Sequence, residues 1–304
     1  MTMTRANFAD ELAPGFRQIF MDALKFGDKP PVVNDVYNMP KTPKTQYVDD
    51  SYMTGFGLVP TKTEGASSTY DDIYQGLDTR YTHDTYSLAY RVTKEMWEDS
   101  RYGLMQKLPK ALGRSMRATV ETDGANQFNN GFDSDYTMGT GYGDGKELFA
   151  TDHVLVSGGT QKNELTTAAD LSETSFEQAL IDIYETTDDR GILLNLMPKK
   201  LLYPVELDFT VKKMFKSTLE YDTANNSINP MKDEDLELIK WAYLTDADAW
   251  FIICDEHEMN WFWRIKPDHY KGNDFDTDDA KFKVRARWKR GWSSPWGVFG
   301  SPGA

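Results

Sequence analysis

The chain contains one cysteine, Cys254, and four histidines, at 83, 153, 257 and 269. A lone thiol excludes an internal disulfide, so stability has to come from packing and association. The histidines are dispersed. No HxxxH, CxxC or His-carboxylate cluster supplies transition-metal spacing, so neither a metal nor a cofactor is expected. No apolar run reaches the roughly 18 residues that a bilayer span needs, and the opening MTMTRANFADEL lacks the apolar centre of a secretion signal. The product is therefore expected to be cytosolic when made, with no membrane partner. Basic residues are also scarce: 34 Lys and Arg stand against 48 Asp and Glu, a net charge of -14. That balance repels nucleic acid at long range unless a local patch opposes it. Glycines at 139, 141, 143, 145, 158 and 159 follow neither GxGxxG nor GxxxxGK spacing, so they mark a surface loop.

What the sequence does hold is a globular composition, 39% hydrophobic and 13% aromatic over 304 residues, enough for two modest cores or one core with extensions. The stretch from Lys94 to Phe132 organises the rest. Leu104, Leu108, Leu112, Met116 and Val120 recur four apart, with Met105, Ala111 and Phe128 beside them, which predicts a helix buried along one face. Lys107, Lys110, Arg114, Arg117 and Glu121 fall on the opposite, polar face, and Pro109 predicts a kink or restart. A helix of that size runs about 55 Å at about 1.5 Å per residue, which predicts an elongated molecule.

Before it, residues 8 to 26 place Phe8, Leu12, Phe16, Ile19, Phe20, Ala23 and Leu24 on one side of a helix interrupted at Pro14-Gly15. Prolines 30, 31, 40 and 43 then predict an extended arm crossing a neighbouring surface. MTGFGLVP and LDTRYTHDTYSLAYRVT predict two strands of a long hairpin, with a phase slip near Asp84-Thr85 that implies a bulge or bend. A ribbon of that kind needs a surface to lie on.

Past the glycine loop, Thr174 and Glu177 suggest a capping box, for a helix with Phe176, Leu180, Ile183 and Tyr184 inward. ILLNLMPKKLLYPV reads as a buried strand broken at Pro198, and Leu207, Val211, Met214, Phe215 and Leu219 mark a further helix. LELIKWAYL, AWFIICD and MNWFWRI read as three strands, so residues 170 to 265 form a mixed α and β core. In KFKVRARWKR, Lys281, Lys283, Arg285, Arg287 and Lys289 alternate with Phe282, Val284, Ala286 and Trp288, giving one basic and one apolar strand face.

None of these patterns carries catalysis. Cys254 and His257 are close, but the cysteine follows AWFII in a buried strand, where a thiol is inert packing. Asp274, Asp276 and Asp278 have the alternate spacing of a calcium loop, yet Asp279 stands where the turn needs glycine and Arg285 where a bidentate Glu belongs, which leaves a solvated acidic turn. The basic strand has two open readings: a grip on phosphates, or pairing with acidic protein surface.

The phrases LAPGFRQIFMDAL, GLVPTKTEG, YTHDTYSLAYRVTKEMWED, LPKALGRSM, ELFATDHVLVSGG and FKVRARWKRGWSSPWGVFGS, in this order, resemble the major capsid proteins of tailed bacteriophages, including Mu-like head subunits. The resemblance covers essentially the whole chain. It implies the α+β HK97-type fold: an N-terminal helix and arm (1-50), an E-loop hairpin (51-93), a P-domain with spine helix and glycine-rich loop (94-169), an A-domain (170-265) and a return to the P-domain (266-304). It implies a non-enzymatic subunit that self-assembles as hexamers and pentamers into an icosahedral head in the virion, made in the host cytoplasm. A separate scaffold protein, a portal, a decoration or cement protein and non-specifically packaged DNA are the other partners it implies. Expected inter-subunit contacts are Lys62, Glu64, Tyr70, Asp71, Asp72, Arg80, Arg285, Arg287, Trp288 and Trp292. Lys62 is also available for the Lys-Asn cross-link of one branch, but no partner Asn or activating carboxylate matches, so a non-covalent shell is expected. The alternative is a DNA-binding or packaging accessory that uses strand 281-290.

Overall fold

The computed structural model describes residues 9-25, 30-41, 44-99, 107-139, 142-219, 228-274, 277 and 279-304. They divide into two compact units. One draws on Met1–Val48, Tyr81–Gly124 and Trp261–Arg290, and the other on Asp49–Arg80, Ala125–Asn260 and Gly291–Ala304.

The first unit is built on a three-stranded sheet in the order β3-β10-β9, with β3 at Asp84–Val92, β9 at Met259–Asn273 and β10 at Ala280–Trp292. β3 and β10 are antiparallel, in register from Ala280↔Val92 to Trp288↔Asp84. The alternation in the sequence dictates how this sheet packs. Phe282, Val284, Ala286 and Trp288 are buried, while the residues between them keep access to water. Helix α1 (Ala9–Lys25) brings Phe16 onto Phe282, ring centroids 5.7 Å apart. It runs through Pro14-Gly15 without the expected interruption.

After a single turn at Val33–Val36 (α2) and the short α3 (Lys94–Asp99), the main helix α4 occupies Lys107–Asn129. Pro109 is the third residue of this described span. Residues 100-106 are outside the described ones, so the helical stretch expected over Lys94 to Phe132 is described only as α3 and α4. Leu112, Met116 and Val120 are buried as their spacing requires. Glu121, expected on the polar face, is only 2% exposed. Its carboxylate accepts from the Val32 N–H at 3.1 Å and pairs with Arg117, which also donates to the Pro30 carbonyl. The Tyr37 hydroxyl donates to the Gly124 carbonyl at 2.8 Å, and Val33 and Val36 are fully buried. This part of the arm is thus spent on its own chain.

The second unit has a four-stranded sheet ordered β11-β8-β6-β7: β6 is Pro198–Tyr203, β7 Glu237–Lys240, β8 Trp250–Cys254 and β11 Val298–Ser301. β6 runs parallel to β7 and antiparallel to β8. All five residues of β8 are buried, as a continuous apolar run demands. Helices α5 (Glu173–Tyr184) and α6 (Asp208–Lys216) bring Phe176 and Phe215 together at 5.1 Å, among Leu201, Val211, Trp250 and Ile252. Each large side chain enclosed there contributes about 1.5-3 kcal/mol. The cap of α5 is Ser172 with Ser175, not Thr174 with Glu177, and Tyr184 points outward. β9 pairs with β10, so MNWFWRI is separate from the strands around β8. Gly297 (φ +82) is obligatory, since a Cβ there would lie 1.9 Å from the Glu256 carbonyl oxygen.

Two small sheets complete the fold: β1 (Tyr47–Met53) with β2 (Gln75–Thr82), and β4 (His153–Val154) with β5 (Thr160–Gln161). The hairpin strand lies earlier than the expected MTGFGLVP. β2 and β3 belong to different sheets, so the phase slip expected at Asp84-Thr85 is a change of sheet at His83.

Candidate self-assembly surfaces

Between β1 and β2, residues 54-74 form an irregular loop closed at its neck. The Thr54 N–H and hydroxyl both donate to the Tyr74 carbonyl, at 3.0 and 3.1 Å, and the Tyr74 N–H returns a bond to the Thr54 hydroxyl. Beyond the neck the side chains are apolar and uncovered: Leu58 is 82% exposed, Val59 94% and Tyr70 96%, with Met53, Phe56 and Ile73 exposed beside them. Lys62 and Glu64 are exposed near the tip. Asp71 is engaged within its own chain. It accepts from the Gly57 N–H at 2.8 Å, the first cause holding its carboxyl below the usual range, and it pairs with Arg190 at 3.4 Å. Arg190 also donates to the Asp72 carbonyl and lies 5.3 Å from the centroid of the Tyr74 ring. Arg190 escaped the sequence reading because DDRG looks like an ordinary turn. Arg80 is likewise turned onto its own chain, with bidentate bonds of 2.6 and 2.9 Å to Asp49.

On β10, Lys281 pairs with Asp274, Lys289 with Asp84 at 3.0 Å and Arg290 with Asp123 at 3.1 Å. Two of the five basic-face residues, Lys281 and Lys289, are therefore already neutralised. Arg285 and Arg287 have no ion pair of this kind among the described residues. Trp288 and Trp292 require correction as contacts to a neighbour, because their rings lie inside this chain. Trp288 is fully enclosed, stacked 3.8 Å from Tyr86, with its indole N–H donating to Asp123 at 2.7 Å. The alternation that made the strand legible had already assigned Trp288 to the inner face.

The residues that invite chemistry are structural. Cys254 is buried, and that burial pushes its thiol up to about 12. Burial also lowers His257 to about 4. His153 is pinned between Asp144 at 2.5 Å and Asn163 at 3.1 Å, and so ties the glycine loop to the strand pair after it. Among the described residues no group of three His, Cys, Asp or Glu could hold a metal ion. Asp276 and Asp278 of the acidic turn lie outside the described residues. No described helix is long and apolar enough to cross a membrane.

The profile of a family described as phage capsid protein matches residues 76-300. Comparison with curated protein sequences finds no match. Several solved structures share the fold at low identity. A capsid structure of the cyanophage P-SCSP1u aligns at TM-score 0.56 and 10% identity, covering 88% of this chain and 86% of that one. A structure from Mycobacterium phage Adephagia aligns at 0.55 and 9%, covering 89% of each chain. The capsid of bacteriophage JBD30, decorated with minor capsid protein trimers, aligns at 0.54 and 14%, covering 71% of this chain and 91% of that one. The mixed helix and sheet architecture is the HK97-type capsid fold.

Proposed function

Because this chain belongs to the phage capsid protein family, we propose that copies of it close into an icosahedral shell of hexamers and pentamers around the genome of a tailed phage, with the 54-74 loop lying on an adjoining subunit. The uncovered apolar side chains of that loop carry the reading. Leu58, Val59 and Tyr70 project from a segment closed at its neck, and apolar side chains grouped in this way favour a partner surface. Lys62 and Glu64 near the tip, and Arg285 and Arg287 on β10, are the charged contacts of that association. A scaffold and a portal act during assembly, and the shell resides in the virion. The trimers on the JBD30 capsid make a decoration protein a further partner.

The test is a Leu58→Ser, Val59→Ser double variant, followed by negative-stain microscopy and sedimentation. Wild-type protein is expected to give shells or capsomer-sized rings. The variant is expected to stay dispersed with unchanged circular dichroism, and shells formed equally well by the variant would remove the loop from the account. The second reading, a DNA-binding accessory acting through strand 281-290, is disfavoured by the in-chain pairing of Lys281, Lys289 and Arg290. Retention on heparin at moderate salt would support it, and a shell subunit of net charge -14 is expected to flow through.

A further inference from the structure

The face of the β3-β10-β9 sheet opposite Trp288 holds a cluster of hydrogen-bond donors with nothing to receive them among the described residues. His83, at the point where the chain leaves β2 for β3, is 6% exposed, and neither ring nitrogen has a partner among the described residues. Arg287 pairs across the ladder with Thr85, two residues along the chain from His83. Arg264 comes from β9. Trp261 and Trp263 pack toward Trp288, while Phe262 meets Tyr81 at 4.7 Å, so Arg264 shares the face of Phe262. The Nε atoms of Arg264 and Arg287 are buried and unpartnered. Burial lowers the His83 pKa, and the charges of Arg287 and Arg264 lower it further. Lys289 adds a positive charge, though it is paired with Asp84. Buried guanidinium donors without an acceptor are costly, while Arg264 and Arg287 as whole residues are only partly buried.

We propose that His83, Arg264 and Arg287 form a recessed anion site that receives one carboxylate side chain from a second copy of this chain. The inference rests on the shell reading and adds to it the place where an acidic residue of the neighbour is taken up. A single side-chain tip reaches recessed nitrogens that a duplex, held back by its own width, does not. The chain is also rich in such tips, with 48 acidic against 34 basic residues. A planar carboxylate meets a guanidinium edge with two parallel bonds and still has lone pairs for the imidazole.

The experiment compares wild type, an Arg264→Gln, Arg287→Gln double variant and a Lys283→Gln control, an exposed residue of the same basic face. Assembly is followed by light scattering and microscopy, and the fold by near-ultraviolet circular dichroism. The double variant should need at least tenfold more protein to assemble while its fold stays unchanged, and the control should assemble at near wild-type concentration. In wild-type assemblies mixed from light-nitrogen and heavy-nitrogen subunits, carbodiimide should tie Lys289 to an acidic residue of the other isotope. Normal assembly of the double variant overturns the site and leaves the shell reading standing. Normal assembly with loss of binding to a short DNA duplex assigns the site to phosphate and overturns the carboxylate. Absence of any mixed-isotope link overturns the second copy as its source. A wild-type chain that never associates, matched by both variants, sinks the shell reading itself and the occupant with it.

Discussion

Gly113 lies within α4, where a glycine ordinarily costs about 0.8-1.0 kcal/mol relative to alanine. On propensity alone, Gly113→Ala should therefore stabilise the protein. The structure predicts the opposite sign. A Cβ at this position would stand 2.7 Å from the Phe20 carbonyl oxygen and 2.8 Å from the Ala23 Cβ, both close to the backbone of α1, so a side-chain rotation cannot relieve either contact. α1 must shift, and overpacking of this kind costs about 1-3 kcal/mol. If α1 lifts away altogether, Phe16 and Phe20 lose an enclosure worth about 1.5-3 kcal/mol each, which sets the upper limit. With the propensity gain subtracted, a net loss of up to about 2 kcal/mol concentrated in α1 is expected, or at most roughly a 30-fold change in its opening equilibrium. Hydrogen exchange followed by mass spectrometry on peptides covering 16-24 reads this directly, with β8 peptides as the internal reference. Unchanged or greater protection of α1 would refute the close-approach argument.

Asp123→Ala removes the acceptor of the Trp288 indole and one ion-pair partner of Arg290, and should cost about 2-4 kcal/mol in fluorescence-monitored urea unfolding, whereas Asp123→Asn keeps an acceptor and should cost less. Equal losses would contradict the assignment. Glu164 has its carboxyl pushed up to about 7, by burial first and then by Glu147. A carboxyl whose folded pKa exceeds its unfolded value contributes fully below about 4.5 and loses that contribution as pH rises to about 7. Glu164→Gln should therefore match wild type near pH 4 and, discounted for partial exposure, exceed it by about 1-2 kcal/mol at pH 8. No gain at pH 8 would show that water screens the group. Cys254 should resist iodoacetamide in the native protein at pH 8 and react only on unfolding, and rapid native alkylation would contradict its burial.

The parts of this fold that could be read from sequence are those governed by a single short-range periodicity. Strand 280-292 announced both faces, because one-residue alternation leaves no freedom in what points inward. Leu112, Met116 and Val120 did the same for α4. Features decided at long range could not be read. Glu121 looked solvent-facing until the Val32 N–H, 89 residues away, supplied its partner. YVDDSYM carries too little apolar character to look like a strand, yet it forms β1 by pairing with β2. The break in phase near Asp84-Thr85 is a true signal whose meaning is visible only in the fold: a single run of strand-forming residues serves two sheets. The candidate site was legible to the same degree. Arg287 stood out on its strand, while Arg264 and His83 join it only through tertiary placement.

The clasp between Thr54 and Tyr74 also separates what lies outside it from what lies inside. Because closure entropy grows only with the logarithm of length, doubling the segment enclosed by the clasp costs only about 0.6 kcal/mol. Gly65, at φ +82 with open space around it, is therefore a natural point for grafting a foreign peptide, since β1 and β2 would still be held together at their ends by the same three hydrogen bonds.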